Sequence, residues 1–390
     1  MAVGFPTKAN WAAGDVLTAS ALDDLAGTVN LLSNASATSG SQLVSNAAGT
    51  SFAYQATPSA SNPLINGAFT VAQRGTSVAI AANAGGYTLD RWYAQSVATG
   101  SALTISRQTT NDSTNLPIIQ YCARVQRNSG QTATGSILFS QSMESINSIP
   151  FAGKVVTMSF YARAGANYSA TANALSVYLI SGTGTDQLRG AGNAYTGETF
   201  PINNQTATLT TTWQRFTFTG TVPATSTELA FYPIFAPTGT AGANDYYEIT
   251  GCQIDIGTVA LPFRTTASTY QGELAACQRY YYRINNNPSG YGMYGTGYGS
   301  STTNGNIYVF YPVQLRTTAS AIDYSTVAST IEVFDGTTQY NASAIAYNSN
   351  ESWVNGATLN VTVAGMTNYR PIKGMFQGSS AGYIGFSAEL

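Results

Sequence analysis

Three tyrosines set among glycines are the residues best placed for recognition chemistry. Tyr291, Tyr294 and Tyr298 lie in the stretch SGYGMYGTGYG (289–299), where local packing cannot bury them. Exposed aromatic rings stack on the faces of sugars and lose little conformational entropy in doing so. We therefore predict a ligand-binding, glycine-rich loop here. The alternative is that these rings pack against a neighbouring subunit, and the sequence leaves both interpretations open.

A second motif, Asp90-Arg91-Trp92, joins an acid and a base to a large aromatic ring. It is able in principle to hold a sugar, with Trp92 as the platform and the two charges fixing hydroxyl groups. However, a Trp in a strand is more often part of the core, and Asp and Arg neighbours hold a strand start by hydrogen bonds. We favour the structural role for this motif, and for Gln73-Arg74 as well.

The acidic residues do not predict a metal site. Asp245, Glu248 and Asp255 lie in and before a late strand, and carboxylate oxygens are ligands that calcium prefers. Glu248 and Asp255 are seven residues apart, so they should point to opposite faces of a regular strand. We therefore predict no metal and no other cofactor.

Catalytic signatures are also missing from the sequence. The chain contains no histidine, which removes the usual Ser-His and Cys-His pairs, and its 18 acidic residues form no distinctive carboxylate pair. Cys122, Cys252 and Cys277 are too scattered for a disulfide framework and are predicted to be buried free thiols. We expect a binding protein rather than an enzyme, with a capsule depolymerase as the least favoured interpretation.

Composition indicates a neutral, aromatic-rich β-protein. Of its 390 residues, 9% are charged, whereas soluble domains carry roughly a quarter. A net charge of −2 gives no electrostatic footprint for nucleic acid. No apolar run approaches the ~20 residues of a membrane helix, and the N-terminus lacks the pattern of a secretory signal. We expect synthesis in a cytoplasm, with neither nucleic acid binding nor membrane insertion.

The N-terminal residues predict a helix and a connector. Residues 18–33 have an apolar stripe with coiled-coil spacing, formed by Leu22, Leu25, Val29 and Leu32. Such a short stripe either packs on its own chain or joins several chains that other domains already hold together. Residues 34–62 are rich in Ser, Ala, Thr and Gly, a composition typical of an extended or flexible linker.

The remainder of the sequence predicts strands and turns. Alternating runs such as KVVTMSFYAR (154–163) and ELAFYPIF (228–235), separated by turn signals, favour a jelly-roll β-sandwich. A short helix that runs into a strand follows, and the strands then return. The predicted segments are an N-terminal attachment and oligomerisation segment (1–33), a linker (34–62), a jelly roll (63–267), a helix-strand connector (268–283) and a smaller C-terminal β-domain (284–390).

Three stretches together carry a resemblance to known proteins. NPLINGAFTVAQRGTS, then YTLDRWYA, and later LPFRTTASTYQGELAACQRYYYR resemble a pattern of bacteriophage tail-fibre and related virion appendage proteins. In those proteins the pattern opens and closes a carbohydrate-binding-module-like jelly roll. The resemblance covers roughly residues 62–283, with a weaker match at 8–25. It implies a virion protein on the tail or capsid surface, made in the host cytoplasm and usually homotrimeric.

Two functions follow from this resemblance. The first is a tail fibre that binds host-surface polysaccharide during adsorption, with the C-terminal domain as the tip. The second is a head fibre, decoration or tail-collar protein that holds particles together without receptor binding. In both cases residues 1–33 are expected to dock on other virion proteins. The two differ in whether the C-terminal domain exposes its aromatic rings or buries them against other proteins.

Overall fold

The computed structural model describes residues 41–45, 52–56, 62–97, 99–190, 192–287, 290–378 and 381–390. The predicted oligomerisation helix, with Leu22, Leu25, Val29 and Leu32, lies outside these residues. Within the segment expected to be a linker, the structure places two short strands, β1 (Ser41–Ser45) and β2 (Phe52–Ala56). They pair with each other in an antiparallel hairpin.

The larger part of the described chain is a sandwich of two six-stranded antiparallel sheets. Its strands are β3 (Ser77–Ile80), β4 (Gly85–Tyr87), β5 (Tyr93–Ser96), β6 (Leu103–Thr109), β7 (Tyr121–Arg127), β8 (Ile137–Ser142), β9 (Val155–Ala164), β10 (Ala174–Gly182), β11 (Thr199–Thr208), β12 (Gln214–Thr221), β13 (Glu228–Phe235) and β14 (Tyr246–Ile256). Sheet A has the order β11-β10-β13-β8-β5-β4, and sheet B has the order β12-β9-β14-β7-β6-β3. From β7 to β14 the chain repeatedly crosses between the sheets, which confirms the predicted jelly-roll arrangement.

Alternation in the sequence explains which side of each strand is buried. In β9, Val156, Met158 and Phe160 are fully buried between the sheets, while the residues between them point away from the core. Trp92 lies at the centre of the same core, stacked on Phe139 with ring centroids 5.0 Å apart. The β-sandwich prediction rested on this two-residue period, and the structure agrees with it.

Strand β14 departs from a regular strand at Gly251. Its register with β9 shifts by one residue between Thr250 and Gln253, and Gly251 has a φ of 58°. Such a β-bulge reverses the alternation of side chains beyond it. Consequently Glu248 lies opposite Arg163 and Asp255 opposite Thr157, on the same outer face of sheet B. The prediction that these two acids point to opposite faces was wrong.

Three α-helices occur in the described residues, and one of them links the two β-regions. They are α1 (Ser145–Ser148), α2 (Tyr270–Gln278) and α3 (Val327–Thr330). The predicted helix-strand segment is confirmed as α2 followed by β15 (Tyr281–Asn285). Thr269 caps α2 by accepting a hydrogen bond from the Gly272 amide at 3.2 Å. None of these helices has the combination of length and apolar character that crossing a bilayer would require.

The C-terminal region contains a seven-stranded and a three-stranded antiparallel sheet. The strands after β15 are β16 (Met293–Gly299), β17 (Asn304–Phe310), β18 (Ala321–Tyr324), β19 (Ile331–Phe334), β20 (Gln339–Asn341), β21 (Ala344–Trp353), β22 (Gly356–Thr362), β23 (Pro371–Phe376) and β24 (Tyr383–Ser387). Sheet C has the order β20-β19-β23-β16-β17-β22-β21, and sheet D the order β15-β24-β18. Their buried side chains form one apolar core that is separate from the core of the sandwich.

Candidate functional site

The motifs that carry the resemblance meet where the sandwich contacts the C-terminal region. The amide of Gln73 donates to Asp90 Oδ2 and its side-chain nitrogen to Asp90 Oδ1, both at 2.6 Å. The same side-chain nitrogen donates to the Tyr281 carbonyl oxygen at 2.8 Å. Burial raises the pKa of Asp90, and the hydrogen bonds from Gln73 oppose that rise. Gln73 therefore ties the first strands of the sandwich to β15.

Arg91 and Arg74 hold the end of the chain against the sandwich. Both form ion pairs with Glu389, and the Arg91 pair is almost completely buried. The Arg91 guanidinium lies 3.5 Å from the centre of the Tyr280 ring, and Arg74 lies at the same distance from Tyr281. Asp90, Arg91 and Trp92 are all almost completely buried, so this motif offers no surface to a ligand. This geometry agrees with the structural interpretation of both motifs.

The acids in and before the late strand β14 of the sandwich all form ion pairs with arginines. Asp245 pairs with Arg127 at 3.2 Å, with both side chains fully buried. Glu248 lies between Arg124 and Arg163, and Asp255 pairs with Arg264 at 2.6 Å. Throughout the described ranges, no group of three or more His, Cys, Asp or Glu residues is arranged to hold a metal ion. Cys122, Cys252 and Cys277 are free and buried, as predicted.

The glycine-rich stretch is a strand rather than the predicted loop. Residues Met293–Gly299 form β16, which lies in the middle of sheet C between β23 and β17. A Cβ atom at Gly297 would collide with the Asn306 carbonyl oxygen on β17. The glycines therefore allow neighbouring strands to approach closely, a use of glycine that resembles a loop signal in the sequence.

Tyr294 is buried, so the prediction of an exposed ligand-binding ring at this position was wrong. Only 3% of this residue is exposed, and its ring packs on Phe376 with centroids 5.3 Å apart. The register of β16 with β23 shifts by one residue between Met293 and Gly295. Because this bulge places Tyr294 as the extra residue, its side chain turns into the core, whereas Tyr298 stays on the opposite face.

Tyr298 lies in an open groove of about 640 Å³ on the outer face of sheet C. We call this the aromatic groove, and its main side chains are Thr296, Tyr298, Tyr308, Phe334, Asp335, Pro371 and Lys373. They come from β16, β17, β19 and β23 and from the turn after β19. Cross-strand pairing brings them together, since Thr296 lies opposite both Tyr308 and Lys373, and Phe334 lies opposite Lys373. The volume falls within the range of small-ligand sites.

Two tyrosine rings form one wall of the groove. The Tyr298 and Tyr308 ring centroids are 6.5 Å apart, and Asn306 Nδ2 donates to the Tyr298 hydroxyl at 3.3 Å. Partial burial raises the pKa of Tyr308, and the nearby Tyr298 hydroxyl and the charge of Glu351 act in the same direction. The Tyr308 hydroxyl therefore stays protonated at neutral pH and can donate as well as accept hydrogen bonds.

Asp335, the acid in the groove, is satisfied by its own turn. Its Oδ1 accepts hydrogen bonds from the amides of Thr337 and Thr338 at 3.0 and 2.9 Å, and Arg370 lies 3.5 Å from its Oδ2. These amide hydrogen bonds lower the pKa of Asp335. Asp335 and Gly336 lie in the turn that joins the antiparallel strands β19 and β20.

The structure does not bring the three predicted tyrosines together. Tyr291 is 57% exposed and lies near Gly378, outside the groove, and Tyr294 lies in the core. Sequence reasoning missed Tyr308, Phe334 and Lys373. The alternation in NIYVFY and STIEVF marks Tyr308 and Phe334 as outward-facing, but the order of strands that makes them neighbours is not visible in the sequence.

Comparison with known proteins gives structural likenesses only. No protein family and no curated protein matches the sequence. A structure titled "CBM4 structure and function" is 19% identical, covers 49% of this chain and 98% of its own, and has a TM-score of 0.28. The CBM22-1 xylan-binding domain of Paenibacillus barcinonensis Xyn10C is 14% identical over 52% of this chain and 100% of its own, with a TM-score of 0.29.

A bacteriophage protein is also among the similar structures. The enzymatically active domain of tailspike protein 4 of bacteriophage CBA120 is 11% identical over 50% of this chain, with a TM-score of 0.29. The matched part of that tailspike is about a fifth of its length, 21%. TM-scores of this size do not support an inference about function. The jelly-roll arrangement therefore rests on the strand order of this chain alone.

Proposed function

We propose that this chain is a phage virion protein, a tail fibre whose C-terminal region binds host-surface glycan. The observation that carries the proposal is the aromatic groove, in which Tyr298, Tyr308 and Phe334 lie beside polar side chains on an open sheet face. Sugars present apolar ring faces and a rim of hydroxyl groups. A groove that pairs aromatic rings with hydroxyl and amide groups matches both features.

The virion assignment rests on the sequence motifs rather than on the groove. Their side chains join the sandwich to the C-terminal region, through Gln73 with the Tyr281 carbonyl oxygen and Arg91 with Glu389. In a tail fibre such a junction would transmit the orientation of the sandwich to the tip. We propose a homotrimer attached to other virion proteins through residues 1–33, so that several shallow sites act together and raise the overall affinity.

We propose binding without a reaction. Glycoside hydrolysis needs two carboxyl groups on either side of the sugar, one of them able to give up a proton. The carboxylate in the groove, Asp335, is held ionised by amide hydrogen bonds and by Arg370. The acids on sheet B are engaged by arginines. Absence of polymer shortening when the protein is incubated with host capsule is the expected result.

The proposal is tested by removing one ring from the groove. Tyr298→Ala should weaken binding of the labelled protein to host cells by about tenfold, because the ring supplies much of the contact with a sugar. Tyr324 makes a matched control, since it is 41% exposed against 38% for Tyr298 but lies on sheet D. Tyr324→Ala should leave binding unchanged. Equal binding by wild type and Tyr298→Ala would contradict the proposal.

A second candidate is a structural virion protein, and a specific surface favours it. Phe310 is 70% exposed and Trp353 42% exposed, and their rings form an edge-to-face pair with centroids 6.5 Å apart. Large exposed apolar rings of this kind are common at protein–protein contacts. Under this candidate, Phe310→Ser should reduce incorporation into particles, while Tyr298→Ala should not affect adsorption.

A further inference from the structure

Cationic side chains in the described residues are almost all engaged. The sequence has thirteen arginines, ten of which form ion pairs. The other three, Arg107, Arg215 and Arg283, lie over tyrosine rings. Within the same part of the chain, Lys154 and Lys373 form no ion pair. Lys154 lies just before β9 of the sandwich, whereas Lys373 lies in the aromatic groove.

The acids around the groove do not neutralise Lys373. Asp335 is compensated by Arg370 and by the amides of its own turn. Glu332 is on the same face of β19, but it is buried and its Oε1 accepts a hydrogen bond from Gln339 Nε2 at 3.3 Å. The negative charge of Glu351 raises the pKa of Tyr308, which lies on the β17 side of the groove. The end of the groove near β19 and β23 therefore carries an exposed positive charge.

We propose that the aromatic groove binds an acidic oligosaccharide, with a sugar carboxylate at the Lys373 ammonium group and a sugar ring against Tyr298 and Tyr308. This inference rests on the proposed glycan-binding function and adds the class of glycan. An ammonium group without a protein partner gains most from a ligand that supplies the missing charge. Phe334, which lies opposite Lys373 on β19, adds a third aromatic ring to this end of the groove.

The test compares ligands that differ only in the acid group. The full chain is titrated with oligogalacturonate and its methyl ester, and with sialyllactose and the methyl ester of its sialic acid. Wild type should bind the acidic member of at least one pair about tenfold more tightly than the neutral member, because a charge-assisted hydrogen bond is lost. Raising the salt concentration should reduce this preference, because the lysine is exposed.

Lys373→Gln and Lys154→Gln remove the same charge at different places, so comparing them shows whether the preference for the acid depends on Lys373. Lys373→Gln should abolish the preference for the acid, and Lys373→Arg should retain it in large part. Lys154→Gln, which removes the other unpaired lysine, should bind as wild type does. Lys373→Gln should remain folded, since this side chain is exposed and forms no ion pair with described residues.

The outcomes separate this inference from the function on which it rests. Equal affinity for acid and neutral forms, lost in Tyr298→Ala, would overturn the acidic ligand but keep glycan binding. A preference for the acid that persists in Lys373→Gln would overturn the role of Lys373. No binding to any of the four glycans, together with unchanged cell binding by Tyr298→Ala, would overturn both proposals.

Discussion

The outer faces of sheets B and C differ in whether their charged side chains have partners within the protein. On sheet B, Glu248 lies between Arg124 and Arg163 on three neighbouring strands, so that the charges satisfy one another. On sheet C, Tyr298 is exposed and Lys373 has no ion-pair partner among the described residues. The charged groups on the outer face of sheet B are therefore paired within the protein, whereas on sheet C an aromatic ring and a lysine are left exposed to solvent.

The difference shows why a count of interesting residues is a poor guide to a binding site. Sheet B carries more charged side chains than sheet C, and they contact acids and aromatic rings of the protein itself: Arg124 lies over Tyr246 and Arg163 over Trp213. A ligand would gain little binding free energy from such arginines, because the protein already supplies their partners. Function is better sought where polar and aromatic groups lack partners of their own.

Glu248→Ala should cause the largest loss of unfolding free energy, and it tests whether the ion pairs on sheet B stabilise the fold. Removing the carboxylate leaves Arg124 and Arg163 without their shared partner, and such a change typically costs about 3–5 kcal/mol of unfolding free energy. Urea denaturation followed by fluorescence measures it. Glu248→Gln keeps one acceptor oxygen and should cost less. A loss below about 1 kcal/mol would mean that water replaces the carboxylate easily.

The next largest effect separates two tyrosines of the same strand. Tyr294→Ala should lower the unfolding free energy by about 3 kcal/mol, because it leaves a cavity beside Phe376. Tyr298→Ala should change stability by less than about 1 kcal/mol and act on glycan binding instead. Denaturation and cell-binding measurements on both variants check this. If Tyr294→Ala kept full stability, the bulge in β16 would be in doubt.

Bulges explain where sequence reasoning failed. Alternation located β9 and β13 to within a residue of their observed bounds, because each strand is long and has one fully apolar face. The same rule misplaced Asp255 relative to Glu248, and it cannot place Tyr294. In both strands one extra residue reverses the alternation, at Gly251 in β14 and at Tyr294 in β16.

The aromatic groove was only partly predictable for a related reason. Tyr298 was found because its neighbours are glycines, but the groove is made by pairing β16 with β17 and β23 and by pairing β23 with β19. Those strands are far apart in the sequence, and their order depends on tertiary contacts. In contrast, the structural role of Asp90-Arg91-Trp92 followed from the ordinary preference of Trp for the core, and it agrees with the observed burial.

A pH titration should give opposite trends for an acid in each region. Amide hydrogen bonds lower the pKa of Asp335 in the folded protein, so its stabilising contribution is present above its unfolded pKa and is lost on acidification through the folded pKa. Burial raises the pKa of Glu228 in the sandwich, so the folded state is relatively favoured at low pH and loses that advantage as pH rises through the raised value.

The two variants that test these trends keep the shape of each side chain. Asp335→Asn should be less stable than wild type at neutral pH, with the difference shrinking in acid. Glu228→Gln should gain stability relative to wild type as pH rises from about 4 to 7. Unfolding free energies measured from about pH 2 to pH 7 check both variants, because the contribution of Asp335 changes only below its unfolded pKa of about 4. Parallel trends for the two variants would contradict the assignment of burial and hydrogen bonding as the separate causes.

The smallest effect on stability is expected for Phe310→Ser, which also separates the two proposed functions. Phe310 is on β17, two residues from Tyr308, but it is 70% exposed and contacts Trp353 rather than the groove. Its replacement should change the unfolding free energy by less than about 0.5 kcal/mol. If sheet C is a receptor-binding face, glycan affinity should be unchanged, because the groove keeps all its side chains. A variant that binds glycan normally but fails to enter particles would show that the Phe310–Trp353 pair is covered by another virion protein, and the open face would then serve assembly as well as recognition.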